Sequence, residues 1–302
     1  MKKLIGLTAA VLLVSCMHPE AGAQTAGARV LKDLEYARVG GIPLQLDLYL
    51  PMAGGPFPLT VYIHGGAFMR GDKARIWYSP MLLQPGRGYA LASLNYRLSG
   101  QAPFPAAVLD VRAAIRWLRA NAARYNLKAD RIVVAGESAG GYLAVMLGTS
   151  GGVAPLEEEN MGNLAQSSRV QGVIDFFGPT DLAQMDRGTP KSCGNAMVHG
   201  DADSPEARFL GCRTVAECPA RATAANPIGY LSRTTPPFLI FHGTADCLVS
   251  PLQSRLLYDA LRAAGLRATL FQYPDLSHAD RRFLTPETEK RVNGFLDGIL
   301  MP

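Results

Sequence analysis

The chain has 302 residues, of which 48% are hydrophobic and 18% charged, a composition typical of a globular protein with a large buried core. Its formal net charge is +5 at pH 7, but beyond the N-terminal segment no basic block is longer than Arg281-Arg282. Proteins that bind nucleic acids concentrate their basic residues in a patch. The charge distribution therefore argues against a nucleic-acid partner.

The first 23 residues have the pattern of a secretory signal peptide. Two lysines precede an apolar stretch (4–16), and Ala21 and Ala23 form an A-x-A cleavage pattern. The apolar stretch is too short to span a bilayer stably, and no later run is longer. We predict export to the periplasm or the medium, with a mature domain over 24–302. The alternative is a lipoprotein, because "LVSC" resembles a bacterial lipobox and would place a lipid on Cys16.

The mature chain begins with an alternating pattern that predicts a half-buried strand. The alternating apolar residues are Leu44, Leu46, Leu48 and Leu50, and the Gly40-Gly41 turn joins this strand to "EYARV" (35–39) as a hairpin. Short continuous apolar runs follow, as is typical of strands buried on both faces of a parallel sheet. These runs are 59–63, 89–94, 131–136, 170–178, 237–243 and 268–274.

Segments with helical periodicity separate these runs. Apolar residues recur at helical spacing at Val108, Val111, Ile115 and Leu118, and again at Leu252, Leu256 and Leu261. Alternating strands and helices predict an α/β fold, a mostly parallel central sheet with helices on both faces. Residues 183–227 carry neither pattern and are rich in Gly, Pro, Asp, Ala and Cys. We predict that they form a lid or cap insert.

Four cysteines remain in the mature chain, an even number that predicts two disulfides in an exported protein. Cys212 and Cys218 are separated by five residues in a turn-rich stretch, so we predict that they pair. That leaves Cys193 for Cys247, which would fasten the insert to the loop after a strand. The opposite pairings, Cys193–Cys212 and Cys218–Cys247, are the alternatives. The cysteine spacing fits no zinc site, and we predict no bound metal.

A candidate nucleophile lies at the end of the run 131–136. "GESAG" places Ser138 between Gly136 and Gly140, immediately before the apolar segment "AGGYLAVMLG". The G-x-S-x-G pattern is typical of a nucleophile elbow, a tight strand-to-helix turn whose crowded flanks exclude side chains. The backbone N–H of Ala139 at the helix N-terminus would face a developing oxyanion. The alternative is an ordinary serine N-cap.

His278 is the candidate base among the histidines of the chain, because it lies in the loop after the last predicted strand. His64 belongs to a Gly-rich turn, "YIHGGAF", whose backbone N–H groups could point at a substrate oxygen. His242 ends a strand, where a histidine is usually packed and hydrogen-bonded. His199 lies in the insert, where we expect it to face solvent, and His18 belongs to the signal peptide.

Asp246, just beyond the strand at 237–243, is the candidate acid. Asp275 and Asp280 are weaker candidates, because they share a loop with the histidine that they would orient. The chain order Ser138, Asp246, His278 matches the order of the catalytic triad in α/β-hydrolases.

From about residue 40 to its end, the chain resembles the α/β-hydrolase esterases. It is most similar to secreted bacterial carboxylesterases related to hormone-sensitive lipase and to acetylxylan and feruloyl esterases. The stretches that carry the resemblance are "VYIHGGAFMRGDK", "NYRL", "PAAVLDVRAAIRWLRANA", "GESAGGYLA", "GPTDL", "FHGTADCLV" and "LSHAD". The resemblance implies that Gly66 and Ala67 supply backbone oxyanion donors together with Ala139.

These observations predict a serine esterase that acts through an acyl-enzyme on Ser138 and needs no cofactor. The expected substrates are short acyl esters or cell-wall acetyl and feruloyl esters, as small molecules or linked to a polysaccharide. One alternative is a serine peptidase of the prolyl-oligopeptidase type. Such enzymes usually carry a large N-terminal domain, and here only a short hairpin precedes the catalytic segment. A second alternative is a binding protein that keeps the fold without catalysis.

Overall fold

A computed structural model describes residues 27–153, 156, 161–194 and 197–301 of the chain. The predicted signal peptide at 1–23 and the candidate lipidation site Cys16 lie outside these residues, so both remain predictions. Among the described residues, no helix is long and apolar enough to cross a bilayer.

Eight strands form one sheet in the order β1-β2-β4-β3-β5-β6-β7-β8. β1 is antiparallel to β2 and β2 to β4, whereas all other neighbours are parallel. The strands are β1 Ala28–Val39, β2 Ile42–Pro51, β3 Phe57–Ile63, β4 Ala90–Leu94, β5 Leu127–Glu137, β6 Gly172–Phe176, β7 Phe238–Gly243 and β8 Ala268–Tyr273. The predicted N-terminal hairpin and mostly parallel sheet are confirmed.

Helices cover both faces of the sheet, as predicted. Among the described residues, the α-helices are α1 Ser79–Leu82, α2 Ala106–Ala120, α3 Ala122–Tyr125, α4 Ala139–Thr149, α5 Pro205–Leu210, α6 Pro219–Ala224, α7 Leu252–Ala263 and α8 Pro286–Leu300. One apolar cluster joins α2, α4 and α7 to one face through residues such as Val61 and Val134. A second cluster joins α1 and α8 to the other face through Tyr62 and Val133. Neighbouring strand residues thus point into opposite cores.

Two local predictions need correction. β2 is not half-buried, because Asp47 and Tyr49 on its second face are buried as well as its leucines. Lys73 covers this face, and its Nζ lies 2.8 Å from Asp47 Oδ1. The second correction concerns α8, which the sequence analysis did not identify. Its apolar stripe, Val292, Leu296 and Leu300, is fully buried against the sheet.

The insert at 183–227 contains no strand among its described residues, in agreement with the prediction. It is built from α5, α6 and short 3-10 turns. Among the described residues, 3-10 helices lie at Pro85–Arg87, Leu182–Gln184, Lys191–Cys193, Val215–Glu217, Pro227–Tyr230 and Arg281–Phe283, so some belong to the insert and others lie elsewhere in the chain. Both predicted disulfides are present: Cys193–Cys247 with 5.4 Å between Cα atoms and Cys212–Cys218 with 6.3 Å. The first links the insert to the loop after β7.

Candidate active site

Four parallel strands bring the candidate residues to one edge of the sheet. β3 ends immediately before His64, β5 before Ser138, β7 before the loop with Asp246, and β8 before the loop with His278. Parallel strands end at the same edge, which is where ligands bind in open α/β sheets. Residues far apart in the sequence therefore meet here.

Backbone geometry fixes the turn at Ser138. This serine has φ 54° and ψ −124°, a left-handed conformation that non-glycine residues adopt rarely. A Cβ on Gly136 would lie 2.2 Å from the carbonyl oxygen of Gly140, and a Cβ on Gly140 would lie 2.1 Å from that of Ile63. Both distances are far inside van der Waals contact, so these positions require glycine. The Ser138 side chain caps no N–H of α4, which rules out the alternative of an ordinary N-cap.

Ser138, His278 and Asp246 form a continuous chain of hydrogen bonds. His278 Nε2 lies 3.0 Å from Ser138 Oγ, and His278 Nδ1 lies 2.7 Å from Asp246 Oδ2. An ionised carboxylate only accepts hydrogen bonds, so Nδ1–H donates to Asp246 and Nε2 is left to accept the Ser138 proton. Among the described residues, neither Asp275 nor Asp280 forms a hydrogen bond or ion pair with His278. Asp280 accepts hydrogen bonds from Arg282 instead, at 2.6 Å.

Asp246 is fully buried and all its lone-pair directions are used. Its Oδ1 accepts hydrogen bonds from the backbone N–H groups of Leu248 and Val249, both at 2.9 Å. Its Oδ2 faces His278 and also lies 3.2 Å from His242 Nε2. Burial alone would raise the pKa of Asp246. The hydrogen bonds and charges of the two histidines outweigh burial and hold this pKa well below its ordinary value.

His242 has a role that the sequence analysis missed. It is packed and hydrogen-bonded, as predicted: Nδ1 lies 2.7 Å from Ser254 Oγ and Nε2 lies 2.9 Å from the carbonyl oxygen of Val249. Its contact with Asp246, however, makes it a second support for that carboxylate. The signal was the spacing H-x3-D at the end of a predicted strand, which places both side chains in one tight loop.

Backbone N–H groups face the same site from the turn after β3. Gly66 has φ 116° and Ala67 has φ 56°, and the N–H groups of Met69 and Arg70 close the turn on the Gly66 carbonyl, both at 3.1 Å. Within the described part of the chain, the N–H groups of Gly66, Ala67 and Ala139 have no hydrogen-bond acceptor. Donors that are fixed in place and unpaired can stabilise a developing negative charge without reorganisation.

Glu137 connects the turn at Ser138 to the turn after β3. Its Oε1 accepts a hydrogen bond of 2.6 Å from the Gly65 N–H and lies 3.4 Å from the Tyr62 hydroxyl. Burial raises the pKa of Glu137 to about 7, although both hydrogen bonds act in the opposite direction. The carboxyl thus fixes Gly65, the neighbour of the Gly66 donor.

The cavity beside Ser138 has a volume of about 580 Å³. Ser138, His278 and the turn after β3 form part of its wall. The rest includes Leu248, from the loop that carries Asp246, and the segment with Arg70, Arg75 and Trp77. Of Phe68, Trp77, Tyr78 and Tyr142, four aromatic residues that lie close to the site in the sequence, Trp77 alone belongs to this wall, and its side chain is 41% exposed. Phe68, Tyr78 and Tyr142 are buried in the core instead.

The insert lies beside this cavity, and none of its described residues belongs to the wall. It helps to line a separate cavity of about 440 Å³. His199 lies in that second wall and is buried rather than facing solvent, which corrects the sequence expectation. Its Nδ1 lies 2.8 Å from Glu206 Oε2. Burial would lower the pKa of His199, but the Glu206 carboxylate outweighs this and raises it.

Known proteins that resemble this chain include esterases. The BD-FAE family model matches residues 46–261. Esterase LipC of Mycobacterium tuberculosis (strain ATCC 25618 / H37Rv) is 31% identical over 212 residues, which cover 70% of this chain and 49% of that protein. The chain spans about half the length of the curated relatives it matches.

Solved structures with the same fold include two esterases. A truncated form of a carbohydrate esterase from gut microbiota superposes with a TM-score of 0.80 at 30% identity, covering 91% of this chain and 97% of that one. Esterase Est2 of Thermogutta terrifontis, with butyrate bound, superposes with a TM-score of 0.71 at 26% identity, covering 92% and 97%. The family model matches most of this chain, from residue 46 to residue 261. The chain therefore belongs to the BD-FAE family of α/β-hydrolase esterases, which is related to hormone-sensitive lipase.

Proposed function

We propose that the protein is a serine esterase that hydrolyses carboxylic esters through an acyl-enzyme on Ser138. The observation that carries the proposal is the hydrogen-bond chain from Ser138 through His278 to Asp246, at the ligand-binding edge of an esterase-family fold. Its esterase relatives support the same class of reaction.

His278 is the general base in the first step. Its Nε2 takes the Ser138 proton while the serine oxygen attacks the ester carbonyl, and it then gives the proton to the departing alkoxide. Water attacks the acyl-enzyme in the second step, again with Nε2 as base, and releases the carboxylic acid. Asp246 holds Nδ1–H and stabilises the positive imidazolium in both steps. His242 and His278 lower the pKa of Asp246 against the effect of burial and so favour its ionised form, while two backbone N–H groups hold its other oxygen.

The backbone N–H groups of Gly66, Ala67 and Ala139 form the proposed oxyanion hole. The tetrahedral intermediate places negative charge on the former carbonyl oxygen, and a fixed donor stabilises it by about 3 kcal/mol. Glu137 holds this wall through Gly65. No metal or organic cofactor takes part in these steps.

Short acyl esters, including esters on carbohydrates, are the proposed substrates. One structural relative is described as a carbohydrate esterase and another binds butyrate. We also propose that the protein is exported. Its two disulfides are consistent with an oxidising compartment, and an anchor at Cys16 remains the alternative. The peptidase alternative gains no support from the three relatives described above, which are named esterases.

The insert at 183–227 is proposed to brace the site as a cap. Phe209 of the insert stacks on Phe68, in the turn after β3, with 4.1 Å between ring centroids. The Cys193–Cys247 disulfide fastens the same insert to the loop of Asp246. The insert thus supports two walls of the site from behind.

Replacing the nucleophile tests the proposed function. Ser138→Ala is expected to lower turnover of p-nitrophenyl acetate by several orders of magnitude while the protein stays folded. Ser232→Ala, in an exposed loop at the opposite end of β7, is the matched control and should retain full turnover. A serine-directed organophosphate should add its mass to the Ser138 peptide alone. Near-full activity of Ser138→Ala, labelling at another serine, or preferential cleavage of a proline amide would contradict the proposal.

A further inference from the structure

The wall beside Ser138 carries two arginines, Arg70 and Arg75. Arg70 and Arg75 both line the cavity and are exposed. Within the described part of the chain, neither guanidinium has a carboxylate partner, a hydrogen-bond acceptor or a ring contact. Lys73, on the same segment, is the opposite case, because it is buried between Asp33 and Asp47 at 2.7 and 2.8 Å. Lys73 therefore forms ion pairs within the fold, whereas Arg70 and Arg75 face the cavity.

The acidic residues in the same wall form no ion pair with these arginines among the described residues. Asp72 keeps its negative charge, but neutral donors hold its carboxylate: the Ala74 N–H at 2.8 Å and Asn95 Nδ2 at 2.9 Å. Glu137 is buried and bound to the Gly65 N–H. The exposed charged side chains of this wall are therefore two guanidiniums and one carboxylate, which leaves a net positive charge beside Ser138.

Trp77 adds a flat apolar surface to the same wall. Its side chain is 41% exposed, although a large aromatic ring is usually buried or in contact with a partner. An indole face suits a planar or pyranose ring, and a guanidinium fork matches a carboxylate in geometry and charge. Together they fit a ring that carries an acidic group.

We propose that the preferred substrates of this site are esters whose ring bears a carboxylate close to the scissile bond, with Arg70 and Arg75 binding the carboxylate and Trp77 the ring. The inference rests on the proposed esterase activity of Ser138 and narrows its substrate class. The two arginines are specificity residues, because they bind a part of the substrate that does not react.

The test compares charged and neutral esters of the same shape. The probes are 3- and 4-acetoxybenzoate and the corresponding acetoxybenzamides, with each kcat/KM divided by the hydroxide-catalysed rate of the same ester. The normalised benzoate-to-benzamide ratio should exceed one for the native protein, by up to about fivefold for each guanidinium. Most of the preference should reside in KM. It should also shrink in about 1 M NaCl, where the Debye length is only about 3 Å.

Arg70→Gln/Arg75→Gln should bring the normalised ratio close to one. Arg267→Gln, which removes an exposed arginine just before the amino end of β8 at the opposite edge of the sheet, should leave the ratio unchanged. A native ratio at or below one, or an unchanged ratio in the double variant, would overturn the inference. If the Ser138→Ala variant still hydrolysed the acetyl ester of the acetoxybenzamides, the proposed function would be overturned instead, so the two failures are distinguishable.

Discussion

The turn at 136–140 and the insert at 183–227 flank the same edge of the sheet and are held in place differently. The turn is fixed by its backbone: Ser138 has positive φ, and its flanking glycines have no room for a Cβ. The insert consists of short helices and 3-10 turns that are fastened by two disulfides and by aromatic contacts such as Phe209 on Phe68. The first region tolerates no added atom, whereas the second depends on cross-links between distant parts of the chain.

This difference separates two kinds of sensitivity. Changes in the backbone-built turn and its hydrogen-bond partners should act on catalysis. Changes in the insert should act mainly on stability, and on catalysis only through its contacts with the turn after β3 and the acid loop.

The largest expected effect concerns the two histidines that contact Asp246. His278→Ala removes the proposed base and should lower kcat by about 10⁴-fold or more, with little loss of stability. His242→Ala removes one partner of the buried Asp246 carboxylate and the hydrogen bond to the buried Ser254 hydroxyl, and it should lower the free energy of unfolding by about 1–3 kcal/mol. Its kcat should fall far less than that of His278→Ala. Steady-state kinetics and urea unfolding measure both quantities, and the reverse pattern would reassign the base to His242.

The next largest effect tests whether the turn is fixed by its backbone. In Gly140→Ala the new Cβ would meet the Ile63 carbonyl oxygen at 2.1 Å and push α4 away from β3. A displacement of about 1 Å at Ser138 should lower kcat/KM by about 100-fold. Gly298→Ala is the matched control, because it lies exposed in α8 with no atom within 4 Å of the new Cβ. It should stabilise the protein by up to about 1 kcal/mol. Full activity in Gly140→Ala would show that the turn has more freedom than its contacts suggest.

The sequence predicted features that are encoded locally or by chain order. The apolar runs lie within a few residues of β3 to β8, because buried strands need continuous apolar residues. Ser138, Asp246 and His278 lie within hydrogen-bond distance of one another, because each follows a parallel strand. Both disulfides have the predicted pairing.

Features that depend on distant contacts could not be predicted in the same way. His199 is buried beside Glu206, in the wall of the second cavity, and no local pattern near "MVHGD" indicates this. The second face of β2 is buried because Lys73 reaches Asp47 from another loop. The missed helix α8 is a different case, since Thr285 caps it, Pro286 begins it and its buried residues follow helical spacing. That signal was present in the sequence.

The disulfides should show a smaller effect that depends on loop length. Cys193–Cys247 closes a loop with a sequence separation of 54, and Cys212–Cys218 one of 6. The chain-entropy estimate gives about 4 kcal/mol for the first loop and about 2 kcal/mol for the second. Cys193→Ser/Cys247→Ser should therefore lower Tm more than Cys212→Ser/Cys218→Ser. Only Cys193→Ser/Cys247→Ser should also lower kcat, because it removes the cross-link between the insert and the loop that carries Asp246. Equal losses of kcat in both double variants would contradict this division.

The smallest expected effect is a pH dependence of stability that originates in the turn. The pKa of Glu137 is raised from 4.5 to about 7 by burial. Between these values the unfolded chain has lost the proton and the folded protein retains it, so the free energy of unfolding should fall as pH rises through this window. Glu137→Gln removes this titration and should flatten the fall. Asp175, whose pKa burial also raises to about 7, should maintain a residual slope in the variant. Urea unfolding at intervals between about pH 4.5 and pH 8 measures the difference in stability between the two proteins. The free energy of unfolding of the variant, relative to that of the native protein, should increase as pH rises and level off above about pH 7. A constant difference across the window would mean that Glu137 titrates alike in the folded and unfolded chains, and that its burial in the turn has no electrostatic cost.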